Sequence, residues 1–411
     1  MADLLHQIRV LDPAIAADRH CDVRIENGCL VAIADHLDPQ PDDRIHAASD
    51  WILGPTLTDL YSRAGEPGAE PRETFASLAA AAAAGGFGRV VLLPEGDPWL
   101  DQAETLSARS HQFNGVQLDY WAAYSRQGQG EQLSELAELA AAGAIGFGDG
   151  QPLANPAFLR QLLLYSHSLD RPLLIWPCDR QLRGKGRARQ GSLALRWGLP
   201  IDPQSSETAA LALLLELLAD CPTPVHLMRI STARSVELIA QAQQRGLPIT
   251  ASVTWLHLLG NTADLTDYDP NLRLAPPLPE PEEQLALQQA VQEGVITAIA
   301  VDHSPYLYEE KTVAFGEAPA GAIGLELALP QLWQTLVVEA GWSPLTLWQR
   351  LSTGPQQCLG ETPRSLELGD RVTVFDPHQT WTVSETSLRS QARNTHLLGQ
   401  TLVGRVWQPP A

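Results

Sequence analysis

The middle of the chain repeats one unit, a short apolar run following a stretch rich in Ala, Leu, Glu and Gln. Apolar runs at 90–93, 173–176, 225–228, 248–251 and 297–301 are short enough for buried strands. The stretches between them, such as 74–84 and 208–219, carry helix formers. Strand–helix units repeated over this length predict a (β/α)8 barrel. A three-layer α/β sheet is the rival, and the recurring spacing favours the closed barrel. The 411 residues leave room for a barrel of about 250 residues and an accessory domain.

The two ends have a different texture. Residues 7–10, 21–26 and 30–33 alternate apolar and polar, punctuated by Asp12-Pro13 and Asn27-Gly28, and 371–375, 380–383 and 400–404 do the same. Together they predict one small β-sandwich built from both termini, with 1–53 and 365–411 forming it and 54–364 forming the α/β barrel.

Apolar residues make up 44% of the chain and charged ones 18%, enough for a large core, and the formal charge is −20. A polyanionic partner, whether nucleic acid or an anionic membrane, would be repelled. The five cysteines have no C-x-x-C spacing, which reads as reduced thiols. No apolar run reaches the roughly 18 residues of a membrane span, and the N-terminus has no basic stretch followed by an apolar one. A soluble, cytoplasmic protein is expected.

In a barrel the chemistry sits at the C-terminal ends of the strands. The first predicted strand runs into GPTLTDLYSRAGEPG, residues 54–68. This stretch resembles the dihydroorotase pattern Pro-Gly-x-x-Asp-x-His-x-His-Leu-Arg-Glu-Pro-Gly. Asp59 and Glu66-Pro67-Gly68 match, while Tyr61 and Arg63 stand where the two histidines belong and Gly65 where an arginine grips the substrate carboxylate. Further on, 144–153 resembles Phe-x-Asp-Asp-Gly-x-Pro and keeps one aspartate, Asp149. Residues 175–179 resemble His-Cys-Glu-Asp, with Pro177 at the histidine. HLMRIST, residues 226–232, resembles His-x-x-His-x-Ser-Thr, with Arg229 at the second histidine. Asn271 falls where a substrate-contacting asparagine is expected. IAVDHSPY, residues 299–306, resembles Ile-Ala-Thr-Asp-His-Ala-Pro-His: Asp302 keeps the position of the metal ligand and general base, and Tyr306 replaces the last histidine. The likeness covers essentially the whole chain, and implies an amidohydrolase-type barrel acting in pyrimidine biosynthesis.

Zinc, the cofactor the resemblance implies, needs neutral imidazoles and carboxylates converging on the cation. A guanidinium has no free lone pair and repels a cation, so no metal or other cofactor is expected here. Lysine, which in this superfamily can bridge two metals when carbamylated, occurs only at Lys185 and Lys311. The expected arrangement is therefore Arg63 or Arg229 paired with Asp302 or Asp149, within a vestigial site formed by Tyr61, Arg63, Asp149, Pro177, Arg229 and Tyr306. A carboxylate left alone there would be costly, and an arginine fork offsets that cost. Trp255 and Tyr306 are expected to fill vacated space. His226, His257 and His303 read as hydrogen-bonded structural residues, and His20, His36, His46 and His111 as surface ones. The leading reading is a non-catalytic subunit, self-associating and, by the resemblance, bound to aspartate carbamoyltransferase. Two alternatives are an active cyclic-amide hydrolase and a protein binding an anionic metabolite through Arg63 and Arg229.

Overall fold

The structure is a computed structural model that describes residues 2–408 other than 110 and 154. Eight strands form the wall of a parallel barrel: Leu57–Ser62, Phe87–Leu92, Val116–Ala122, Gly146–Phe147, Leu173–Asp179, Val225–Leu227, Ile249–Thr254 and Ala298–Ala300. Each pairs with the next in parallel register. The closed barrel predicted from the strand–helix spacing is thus the architecture found, apart from one seam.

That seam, between the eighth strand and the first, is bridged by side chains. Val301 N donates to Asp59 Oδ1 at 2.6 Å, and His303 N donates to Ser62 Oγ at 3.1 Å. Ser62 Oγ in turn donates to Asp59 Oδ2 at 2.5 Å. One backbone bond, from Arg63 N to His303 O at 2.8 Å, completes the join. The Asp59 side chain therefore takes over part of a missing ladder, with no exposure to solvent.

The barrel interior is packed rather than open. Leu60, Tyr61, Val91, Trp121, Leu174 and Met228 fill it, and Trp121 Nε1 donates to Leu60 O at 2.8 Å. The polar atoms among them are satisfied, as burial demands. His226 bonds Thr250 Oγ1 and Ser252 Oγ, each at 2.9 Å, and Tyr61 OH bonds the same Ser252 Oγ at 2.9 Å. Outside the wall, the helix Phe75–Ala84 begins at a capping box, Thr74 accepting from Ser77 N while Ser77 Oγ accepts from Thr74 N.

Both chain ends join one seven-stranded sheet. Its order is Thr401–Val406, Val372–Thr382, Ile52–Pro55, Asp3–Asp12, Ala17–Glu26 and Cys29–Ala34, with Arg44–Ala47 also paired to Asp3–Asp12. Leu5, Ile8, Val10, Val23, Leu53 and Val374 belong to a core of its own. The separate runs 371–375 and 380–383 turn out to be one strand, Val372–Thr382, whose register shifts between Asp376 and Thr380. The sheet keeps Ile52–Pro55 and the barrel starts at Leu57. Between its last two strands the chain leaves the sheet and returns to the barrel: Asn394 Oδ1 accepts from Tyr306 N at 3.0 Å, and its Nδ2 donates to Ser304 O at 2.9 Å. Among the described residues no helix is long and apolar enough to cross a membrane.

Burial pushes the Asp59 carboxyl up to about 7, against the hydrogen bonds from Ser62 and Val301 that favour its charged form. A carboxyl raised on folding contributes stability that is complete at low pH and is lost as pH rises through its folded value. Asp59→Asn keeps an acceptor for Val301 N. It is expected to flatten the fall in unfolding free energy between about pH 4 and pH 7, measured by urea denaturation across that range.

Candidate functional site

Four charged side chains leave the C-terminal ends of three barrel strands and of the loop after a fourth, and converge at the barrel mouth, where a barrel places its chemistry. Arg63 follows the first strand, Glu95 the second, Arg229 the sixth and Asp302 the eighth. Arg229 grips Asp302 as a two-pronged fork, Nε to Oδ2 at 2.7 Å and Nη2 to Oδ1 at 2.7 Å. Its remaining Nη1 donates to Gly150 O at 3.2 Å. The guanidinium also lies over the rings of Trp176, at 4.9 Å, and Tyr61, at 5.7 Å. Arg63 Nη1 reaches the same Asp302 Oδ1 at 3.4 Å and Ser304 Oγ at 3.0 Å. Its other face forks onto Glu95, Nε to Oε2 at 2.8 Å and Nη2 to Oε1 at 3.1 Å.

Asp302 thus receives three guanidinium N–H groups while its side chain is only 15% exposed. Burial alone would pull the Arg63 guanidinium below its ordinary pKa, but Glu95 and then Asp302 outweigh it and hold it above. Burial pushes Glu95 up, and Arg63 outweighs that in turn, so Glu95 stays below the usual carboxylate range. Both partners of the central fork carry left-handed backbone, Arg229 at φ 58° and Asp302 at φ 55°. Such conformations cost on the order of 1–3 kcal/mol each for residues with a side chain, and fold and fork together must hold them.

The remaining vestigial positions separate. Tyr61 is fully buried below the fork, where its OH accepts from Arg229 N at 3.1 Å. Tyr306 does line the mouth, its OH donating to Ala320 O at 3.1 Å. Pro177 is buried on the fifth strand, and it is Trp176, one residue earlier, that faces the cavity. Among the described residues Asp149 is in no ion pair with an arginine; Ser125 N donates to its Oδ1 at 3.1 Å and Ser125 Oγ bonds its Oδ2. Burial raises its carboxyl to about 7 against those bonds. The expected pairing with arginine therefore forms at Asp302 and not at Asp149, because the chain around 125 reaches Asp149 first. Asn271 lies in the turn Pro270–Leu272 outside the cavity lining, and Arg273, two residues on, lines it instead. Trp255 packs in the main core and leaves the vacated space to others.

His257 sits between Thr254 Oγ1 at 2.6 Å and Pro276 O at 3.1 Å, and burial lowers its pKa to about 4. Burial takes His226 down to about 3. His303 Nδ1 accepts from Gly324 N at 3.2 Å, which turns Nε2 toward Glu73, 3.4 Å away. His226 and His303 lie outside the mouth lining, whereas His257 is part of it with both ring nitrogens already engaged by Thr254 and Pro276. Gly65 has a stricter role. A Cβ there would lie 2.2 Å from Ala69 O and 2.8 Å from Glu73 N, so the loop has closed over the space an arginine would need.

Sequence reasoning missed Glu95, although it directly follows the Val90–Leu93 apolar run and Pro94, the place where a barrel strand hands over to its active-site loop. It also missed Gln151, whose Nε2 donates to Glu95 Oε1 at 2.8 Å. Above the fork the mouth opens into a cavity of about 320 Å³ lined by five arginines and two carboxylates.

Comparison with known proteins places this geometry. A family model described as Dihydro-orotase-like matches residues 51–235. A probable dihydroorotase-like protein of Synechocystis sp. is 43% identical, over 97% of both chains. The chain belongs to the dihydroorotase-like family. A dihydroorotase of Syntrophus aciditrophicus is 34% identical over 99% of this chain and 97% of its own length. Among solved structures, the L-hydantoinase of Arthrobacter aurescens superposes with a TM-score of 0.83 over 98% of this chain and 93% of its own, at 18% identity. That likeness shows the shared barrel and terminal sheet.

The zinc that the dihydroorotase resemblance implies does not fit the residues present. The atoms nearest the Asp302 carboxylate are guanidinium nitrogens, which offer no lone pair and carry positive charge. Among the described residues no three His, Cys, Asp or Glu side chains are grouped so as to hold a metal ion.

Breaking the fork by Arg229→Met leaves Asp302 buried with only the longer Arg63 contact, and is expected to cost about 3 kcal/mol. The double change Arg229→Met with Asp302→Leu is expected to recover most of that loss. Chemical denaturation of both single variants and the double variant measures the coupling; additive losses would show that the fork contributes nothing.

Proposed function

We propose that this member of the dihydroorotase-like family has lost the metal site of its catalytic relatives and serves as a non-catalytic subunit that associates with itself and with aspartate carbamoyltransferase. The observation that carries this reading is the Arg229 fork on Asp302. A general base needs a free lone pair near the pKa of its task. An aspartate receiving three guanidinium N–H groups has its carboxylate lone pairs engaged by them and not offered to a substrate proton. Two further features support the reading. The Gly65 loop has no room for a side chain that would grip a substrate carboxylate. Tyr61 and Trp176 pack beneath the guanidinium, so the arginine occupies a prepared seat.

The alternative of an anionic metabolite held by Arg63 and Arg229 is weakened by the same geometry, since both guanidiniums are already committed to carboxylates. The alternative of a working hydrolase is tested by assay. Purified protein is expected to show no interconversion of dihydroorotate and carbamoyl-aspartate above the buffer rate. Turnover that Asp302→Asn abolishes would overturn the non-catalytic reading. Sedimentation of the chain mixed with aspartate carbamoyltransferase at micromolar concentration tests the partner. A co-sedimenting complex is expected, and two independent boundaries would refute the association.

A further inference from the structure

With Glu95 and Asp302 taken by Arg63 and Arg229, three arginines of the mouth cavity are left over. Arg183, Arg187 and Arg273 line it, and none of them is in any ion pair formed among the described residues. The lining thus carries an excess of three positive charges in a chain whose formal charge is −20. Like charges gathered in one partly enclosed space repel one another, and a fold keeps them together only at a cost in stability.

The three come from two loops held from below. Arg183 and Arg187 lie in the loop after the fifth barrel strand, which is anchored by Arg189. That residue is fully buried, donates to Ser231 Oγ at 2.5 Å and lies 3.5 Å from Asp202 and 3.6 Å from Glu207. Arg187 is steadied by two carbonyls, Nε donating to Gly316 O at 2.9 Å and Nη1 to Gly186 O at 3.2 Å. Arg183 lies over the Trp176 ring at 5.5 Å. Arg273 is fixed through its backbone, its carbonyl accepting from Gly321 N at 2.9 Å, while among the described residues its buried Nε has no hydrogen-bond partner. Burial and then the neighbouring Arg187 and Arg183 lower the Arg273 pKa to about 10. Among the described residues, donors remain that no protein acceptor satisfies.

We propose that Arg183, Arg187 and Arg273 form a binding site for a small organic polyanion, one carrying two or more carboxylate or phosphate charges, in the mouth of the barrel above the Arg229–Asp302 fork. The cavity of about 320 Å³ is at the small end of ligand pockets, about 300–1,000 Å³. Guanidinium forks favour planar or tetrahedral oxyanions and bind them through charge-assisted bonds. The site uses none of the groups engaged with Asp302, so it stands or falls apart from the non-catalytic reading.

Calorimetric titration with tricarballylate and with pyrophosphate tests it, the two probes separating a carboxylate from a phosphate ligand. One of them is expected to bind saturably to the wild-type chain, and at least about tenfold more weakly to Arg187→Gln and to Arg273→Gln, each substitution removing a charge-assisted contact. Without ligand these variants are expected to melt no lower than wild type, because each relieves repulsion. Arg183→Gln, on a side chain seated only on Trp176, provides the same comparison if Arg273→Gln does not fold. No saturable binding of either probe, or undiminished binding by the variants, would overturn the proposal.

Discussion

The fork of Arg229 on Asp302 is the contact around which the barrel mouth is organised. It joins the end of the sixth strand to the end of the eighth. Through the shared Asp302 it ties in Arg63 from the first strand, and through Arg63 it reaches Glu95 beyond the second. The pair is nearly dry, with Arg229 only 2% exposed. In such surroundings an unpartnered charge is far more expensive than a paired one. Removing either member would therefore disturb more than the two residues concerned.

The ion-pair network occupies the C-terminal mouth of the barrel, the end at which this fold places its chemistry. Left-handed backbone at both Arg229 and Asp302 is geometry that strands and loops must impose, and it persists here in residues engaged with each other. Beneath, the interior network of Tyr61, Ser252 and His226 is fully satisfied, so the mouth rests on a rigid floor. With a barrel closed but for one seam, a terminal sheet holding both ends, and ion pairs spanning the floor of the mouth, the chain is suited to presenting a fixed outer surface. Its uncommitted arginines lie higher, in the loops, where a ligand could reach them without disturbing the fork.

Much of this was legible in the sequence because it depends on local pattern. Strand runs at 90–93 and 173–176 are continuous apolar segments, and helix 74–84 announces itself through Thr74 and Ser77. Arg63, Arg229 and Asp302 could be placed together because flanking motifs fixed their strand ends, even with the histidines gone. What escaped depends on three-dimensional proximity. The fourth strand, Gly146–Phe147, is too short to give any periodicity. Asp149 was offered to an arginine, but Ser125, whose loop gives no local signal, reaches it first. Asn271 carried a motif position, yet its turn points Arg273 into the cavity. Glu95 went unnoticed because a lone glutamate after a strand has no partner within its own segment; its partner, Arg63, is 32 positions away in sequence.

Zinc content tests the central idea most directly. The chain, purified without chelator and dialysed against zinc-containing and then zinc-free buffer, would be measured by atomic emission. A mouth in which guanidiniums take the place of metal ligands retains no stoichiometric zinc, and Asp302→Asn changes nothing in the measurement. Zinc retained in a fixed ratio to protein, and released by Asp302→Asn, would contradict it.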